Sequence, residues 1–287
     1  MTRKMRVGDY SGRSVSNYIR EIRFIGEYYP DKPVADLSKD EIEHYVLYLK
    51  QTLGVGRDKC RMTASALQWL FKHVLERPYD LPSKLYPKKT FSLPEVMSCE
   101  QVRQLFDAPL SIKQRALCQV FYSTGVRLEE CTLLRVCDID SANMCIHLRQ
   151  GKGRKDRKLL LSPRCLETLR RYYRAHKPKN WIFEGQEPGK PMHPRSLGHA
   201  ITMCMKLAKL DGKGFSAHTF RHSFATHMLD AGVDIHTIKT LLGHSKLETT
   251  MVYLHLQSRK RMSLISPLDA LYNRNELETA PLDAPVL

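Results

Sequence analysis

Between Arg77 and Pro94 the chain places Pro78, Pro82, Pro87 and Pro94 among basic residues that include Lys88 and Lys89. Proline fixes φ and removes an amide donor, so such a stretch neither continues a helix nor builds a sheet. It forbids one uninterrupted array of elements and predicts two folded units, residues 1–80 and 95–260, joined by a linker at 81–94. A tail, 261–287, follows. With 287 residues, 42% of them hydrophobic, each unit can bury a core of its own.

Ahead of the linker, apolar residues recur at helical spacing over Val15 to Tyr29, Lys39 to Thr52 and Cys60 to Leu75. Ser38, followed by Asp40 and Glu41, reads as an N-cap with acids in the first turn. This unit is predicted to be all-helical. Behind the linker, Ser98 with Glu100 and Gln101 opens a helix, and a second apolar helix spans Lys113 to Ser123 before a break at Gly125. Met144 to Leu148 alternates, Gly151 to Asp156 is a turn, and Lys158 to Leu161 is strand-like, which predicts a short hairpin with a cationic tip. From Pro194 onward the pattern is helical, interrupted at Gly212 to Gly214, Gly232 and Gly243. The expected class is mainly α, with a small antiparallel sheet in the second unit.

Lysine and arginine number 46 against 30 acids, a formal charge of +16. Such a surplus either solvates a surface or meets a polyanion, of which nucleic acid is the commonest. The eight cysteines form no C-x-x-C pair, which argues against a zinc ribbon or a disulfide framework and for a reducing, cytoplasmic setting. No apolar run approaches the ~20 residues of a membrane span.

Individually, the chemical motifs are weak. Thr124-Gly125-Val126-Arg127-Leu128-Glu129-Glu130 is a helix start, but a cap does not require Arg127, which Glu130 could orient from three residues on. His218, Arg221 and His222 share one helical face; the H-x-x-x-H spacing lacks the glutamate of a zinc protease helix. His227 reads as a structural or surface histidine rather than a ligand. Gly243 can end a helix in the left-handed region, with Ser245 and Glu248 opening the next as a capping box and His244 held at the seam. Tyr253 lies nine residues beyond, on that new helix, and a lone helical tyrosine usually packs. Together, two arginines, a lysine on a glycine-flanked turn, histidines and a tyrosine make a phosphoryl-transfer set: guanidinium groups for non-bridging oxygens, an ammonium to protonate a leaving oxygen, and imidazoles to move protons.

The order R…K…H-x-x-R…H…Y resembles the tyrosine recombinase, or phage integrase, family and most closely its Xer-type members. The likeness rests on H-T-F-R-H-S-F-A-T-H and L-L-G-H-S-K-L-E-T-T-M-V-Y, and on gaps of 23 residues from Arg221 to His244 and nine from His244 to Tyr253. It covers about Leu93 to Tyr253. Phe220 and Val126 stand where leucine is usual, and both keep an apolar contact. The resemblance implies Arg127 and Arg221 as phosphate clamps, Lys152 as general acid, His218 as base or proton manager, His244 as phosphate hydrogen-bond donor and Tyr253 as nucleophile. Arg154, Lys155 and Arg157 share the hairpin with Lys152, which is singled out by its G-K-G register. Implied too are a core-binding role for the N-terminal helices, closing on double-stranded DNA as half of a C-shaped clamp, and a 3′-phosphotyrosyl intermediate. Strand exchange then needs neither a nucleotide cofactor nor a divalent metal. A homotetramer on two sites is expected, with the apolar part of the tail (Met262, Leu264, Ile265, Leu268, Leu271) docking on a neighbouring protomer. The rivals are a type IB topoisomerase and a DNA-binding regulator without catalysis. No extra module precedes the first helices and no long insertion separates Arg221 from Tyr253, which favours a simple recombinase on short inverted repeats; dimer resolution, phage integration and mobile-element movement all remain open.

Overall fold

A computed structural model describes residues 1–78, 93–149, 156–187 and 189–256. The expected linker, apart from its last two residues, the hairpin tip with Lys152, Arg154 and Lys155, and the tail 261–287 lie outside the described residues. The chain divides into two compact units, Met1–Ser92 and Leu93–Leu287.

The first unit is helical throughout its described part. A short α1 (Thr2–Val7), which periodicity did not reveal, buries Met5 against Val15 and Trp69. α2 (Gly12–Tyr28) starts where the Ser11 side chain accepts from the Ser14 amide. α3 (Lys39–Gln51) carries the capping box read from Ser38 and Glu41: the Ser38 hydroxyl accepts from the Glu41 amide at 3.2 Å and the Glu41 carboxylate from the Ser38 amide at 2.7 Å. Its Ile42, Tyr45, Val46 and Leu49 face inward at helical spacing. α4 (Arg57–Leu70) begins three residues before the expected Cys60 and gives way to a wide π-turn over Phe71–Leu75, which Glu76 ends in the left-handed region. A buried carboxylate, Glu21, bridges α2 to α4 by accepting from Lys59 Nζ at 2.5 Å and Thr63 Oγ1 at 2.9 Å.

In the second unit, α5 (Cys99–Asp107) is opened by the Ser98–Gln101 capping box. α6 (Ile112–Thr124) is the central helix, with Ala116, Leu117, Cys118, Val120 and Phe121 at most 2% exposed. α7 (Leu128–Thr132) has Glu129 and Glu130 in its first turn. β1 (Ile139–Asp140), β2 (Cys145–Leu148) and β3 (Arg157–Leu160) form an antiparallel sheet in that order, with Leu148 opposite Arg157. Ile146, Leu148 and Leu159 enter the core, as the pleat's alternation requires. α8 (Pro163–His176) and α9 (Pro194–Leu207) complete the packing around α6. α10 (Ala217–Asp230), α11 (Ile235–Leu242) and α12 (Glu248–Met251) follow.

Two local expectations are corrected. The box read from Ser245 and Glu248 does not form: α12 starts at Glu248 with Leu247 before it and no side-chain cap. Thr250 is instead drawn back to His244, its Oγ1 lying 2.9 Å from Nδ1. Tyr253 sits in the 3-10 turn Val252–Leu256 that follows α12, so its side chain departs from the direction an α-helix would give it.

Gly125 and Gly243 end α6 and α11 at φ +61° and +64°. At Gly125 an added Cβ would also stand 2.6 Å from Phe224 Cδ1 and 2.8 Å from Leu242 Cδ2. Gly125→Ala is therefore expected to cost about 2–4 kcal/mol, from left-handed strain plus overpacking. A urea midpoint unchanged from the parent would contradict this account.

Candidate active site

Three helix ends converge in the second unit: the seam between α6 and α7, the first turns of α10, and the C-terminus of α11. Arg221, on α10, is buried, and its guanidinium donates to the Gly125 carbonyl from Nη1 and the Leu242 carbonyl from Nη2, both at 2.7 Å. Burial, then the like charge of Arg127, brings its pKa down to about 10, so it is still cationic at neutral pH. Arg127 precedes α7; its Nη1 donates to Glu130 Oε1 at 2.8 Å and its Nη2 to the Gly243 carbonyl at 3.3 Å. Glu130 thus orients the guanidinium, as its spacing suggested.

Glu130 also meets a residue that the motifs did not single out for the site. Arg157, at the start of β3, donates to both carboxylate oxygens, Nη1 to Oε1 at 3.0 Å and Nη2 to Oε2 at 2.7 Å. The Arg127 amide adds a bond to Oε2 at 3.0 Å. Burial alone would raise the Glu130 pKa, but Arg157 and then Arg127 outweigh it and hold the carboxyl at about 2.

Tyr253 is buried, its pKa raised by desolvation against the opposing pull of Arg221 and Arg127. The histidine touching its hydroxyl is His222, with Nδ1 at 3.0 Å, rather than His218, which is exposed in the first turn of α10. Burial first, then the charges of His218 and Arg221, bring His222 down to about 4, so at neutral pH its ring is neutral and can accept a hydrogen bond from the phenol. His244 is brought down to about 3 by burial and then by Arg221, Arg127 and Arg157. The Thr250 hydroxyl can donate to its Nδ1, which leaves Nε2–H as a neutral donor. His227 lies half-buried, its Nδ1 2.9 Å from the Tyr122 hydroxyl, a packing contact.

Arg127, Arg221, His244 and Tyr253 are brought into one cluster, His218 stands at its exposed end, and Lys152 is outside the described residues. The shared helical face of His218, Arg221 and His222 was the signal for His222; nothing local pointed to the Arg157–Glu130 pair, whose members are 27 residues apart. Among the described residues one set of metal-capable donors occurs, Asp140, Cys145 and His147, within 4.8 Å of one another. It shares no member with the cluster, and Asn143 already bonds both Asp140 oxygens.

The depressed histidines have a consequence for stability. Between the ordinary histidine pKa of about 6.5 and the folded values, the unfolded chain binds protons that the folded chain refuses, so stability is complete above about pH 6.5 and falls as pH drops toward 4. His227, also lowered by burial, contributes in the same sense. Urea midpoints measured from pH 7.5 to 4.5 should decline, and the decline should flatten when His222 and His244 are both replaced by Asn. An unflattened slope in that variant would remove these two residues from the explanation.

Residues 95–260 match the model of the phage integrase family, and residues 1–81 that of the phage integrase N-terminal SAM-like domain. A protein described as a putative integrase/recombinase from Sinorhizobium fredii is 34% identical over 273 residues, covering 94% of this chain and 88% of that protein. Tyrosine recombinase XerC of Chlamydia caviae is 33% identical over 246 residues, covering 79% and 76%. Among solved structures, XerA recombinase aligns over 91% of this chain and 94% of its own with a TM-score of 0.55 at 25% identity. The XerH recombinase bound to a palindromic difH substrate aligns over 87% and 78% with a TM-score of 0.69 at 20% identity, a likeness of fold.

Proposed function

The chain belongs to the phage integrase family and is a tyrosine site-specific recombinase that cleaves and rejoins DNA, and on that footing we propose how its own residues divide the reaction. Tyr253 attacks the scissile phosphate through its hydroxyl oxygen, forming a 3′-phosphotyrosyl bond as the bond to the 5′-oxygen breaks. Lys152 gives the departing 5′-oxygen its proton. Arg127 and Arg221 face the non-bridging oxygens and neutralise charge that builds on the pentacoordinate transition state. His244 donates Nε2–H to the same phosphate. His222 receives the hydrogen bond of the phenol at rest, and His218, at the exposed end of the cluster, manages the proton thereafter. A 5′-hydroxyl from the partner duplex reverses the step, so the phosphodiester energy stays in the covalent intermediate.

One observation carries this reading: the Tyr253 hydroxyl is buried beside a neutral imidazole and within the field of two guanidinium groups. A binding-only protein has no use for that arrangement. A suicide substrate, nicked so that the cleaved end diffuses away, should trap protein covalently on DNA and name the cleavage position. Site-dependent strand exchange then separates recombination from topoisomerase-like relaxation, and relaxation without exchange would overturn the assignment.

The finer reading extends to a tetramer on two sites in the cytoplasm, the tail after residue 260 docking on a neighbouring protomer. Its acidic end, with Glu276, Glu278 and Asp283 and no lysine or arginine after Arg274, is unsuited to DNA. Deletion from Ser263 onward is expected to spare binding of one half-site, weaken cooperative binding of the second, and stop recombination. Normal recombination by the truncated protein would place the coupling in another interface. The DNA site and the errand, mobile-element movement or another, follow from sequencing the trapped DNA.

A further inference from the structure

Three successive carbonyls at the C-terminus of α11 each take one arginine: Leu241 from Arg157 Nε at 3.3 Å, Leu242 from Arg221 Nη2 at 2.7 Å, and Gly243 from Arg127 Nη2 at 3.3 Å. The last four carbonyls of a helix have no partner within it, and the helix dipole makes them electronegative, so they attract cations. Two of these arginines are the phosphate clamps of the proposed mechanism. The third, Arg157, differs in what its fork meets: the terminal nitrogens of Arg221 go to two backbone carbonyls, whereas those of Arg157 go to a carboxylate. Its side chain is 12% exposed, and both terminal nitrogens are spent on Glu130. Gly243 presents its bare face to the guanidinium: a Cβ there would stand 3.0 Å from Arg157 Cδ and Nη1.

We propose that Arg157 is a positioning residue that supplies the counter-charge to Glu130 and thereby leaves the Arg127 charge available to the DNA phosphate. The inference rests on the reading of Arg127 as a clamp. Glu130 is needed to orient Arg127, but a buried carboxylate paired with one arginine alone would cancel the charge it positions. With Arg157 doubly bonded to the same carboxylate, three guanidinium groups stand against one carboxylate, a surplus of two positive charges. That surplus matches a phosphodiester whose charge grows from one toward two in the pentacoordinate state. The same side chain ties β3 to the end of α11 through the Leu241 carbonyl, so the last turn before His244 is held by the group that balances Glu130.

Removing Arg157 should therefore act on chemistry and spare DNA affinity. Arg157→Met is expected to slow single-turnover cleavage roughly ten- to hundredfold with the dissociation constant for DNA nearly unchanged. Arg157→Lys, which keeps the charge but loses the fork, should fall between it and the parent. The discriminating substrate carries a methylphosphonate at the scissile position: with one non-bridging oxygen replaced by methyl, the ground-state charge is gone and one clamping charge is dispensable. On it, Arg127→Ala and Arg157→Met should both approach the parent rate. Rescue of Arg127→Ala without rescue of Arg157→Met would overturn the inference and leave the clamp standing. Failure of both would remove the clamp and the inference with it. Parent-level cleavage of the ordinary substrate by Arg157→Met would also overturn it. Should the Met variant not fold, the Lys variant carries the same comparison, with its partial defect erased on the methylphosphonate.

Discussion

Tyr253→Phe is expected to eliminate the covalent protein–DNA adduct while leaving DNA binding nearly unchanged. The substitution deletes one oxygen from a side chain that is 2% exposed and packed with Phe224, Ala225, Leu229, Ile238 and Leu242. The ring keeps those contacts, so the turn after α12 should hold its place. What is lost locally is the bond to His222 Nδ1, whose removal from a part-buried site costs about 1–2 kcal/mol of stability. That loss is small beside the chemical effect, because phenylalanine has no atom that can bond to phosphorus. Denaturing gels of a nicked substrate give the measurement. Adducts at parent level in the variant would move the nucleophile elsewhere, and Tyr272, beyond the described residues, is then the first tyrosine to replace.

Local signals in this chain were legible where the physics is local. A serine three residues before a glutamate or glutamine specified the starts of α3 and α5, because both halves of a capping box lie within one turn. Gly125 and Gly243 announced helix ends, because only glycine enters the left-handed region without strain. The same reasoning failed at Ser245, where a side chain six residues from His244 competes for the turn: Thr250 bonds His244, and the box that local sequence permits is not made. α1 and β1 were too short to show a period, and the loop of Arg157 onto Glu130 joins a strand to a helix start, a relation no spacing rule encodes.

The choice among histidines shows the same boundary. Spacing places His218, Arg221 and His222 on one face of α10, yet only contact with the turn after α12 decides which of them meets the phenol. Desolvation then fixes its protonation. His222 and His244 are neutral at pH 7 because the site buries them beside cations, so each works as a hydrogen-bonding group and neither adds charge to an already positive cluster.

Lys152→Ala is expected to slow cleavage of an ordinary phosphodiester by roughly 10²–10⁴-fold, the range for loss of a positioned general acid. The argument is one of chemistry at the leaving group. An alkoxide leaves poorly from phosphorus, and the described cluster offers no second ammonium to the 5′-oxygen, its cations being guanidinium groups already bonded to Glu130 and to the end of α11. A lysine between two glycines, Gly151 and Gly153, has the backbone freedom to reach that oxygen and the pKa range to release a proton. A substrate with sulfur in the 5′-bridging position separates this role from any contribution to binding or folding. A thiolate leaves without protonation, so the variant should regain nearly the parent rate on it. Arg157→Met should gain nothing from the sulfur, since its defect lies at the non-bridging oxygens, and the two rescues, sulfur for the lysine and methylphosphonate for the arginine, should not cross. Equal defects of Lys152→Ala on both substrates would transfer the acid role to another residue of the hairpin, with Lys155 the next to replace.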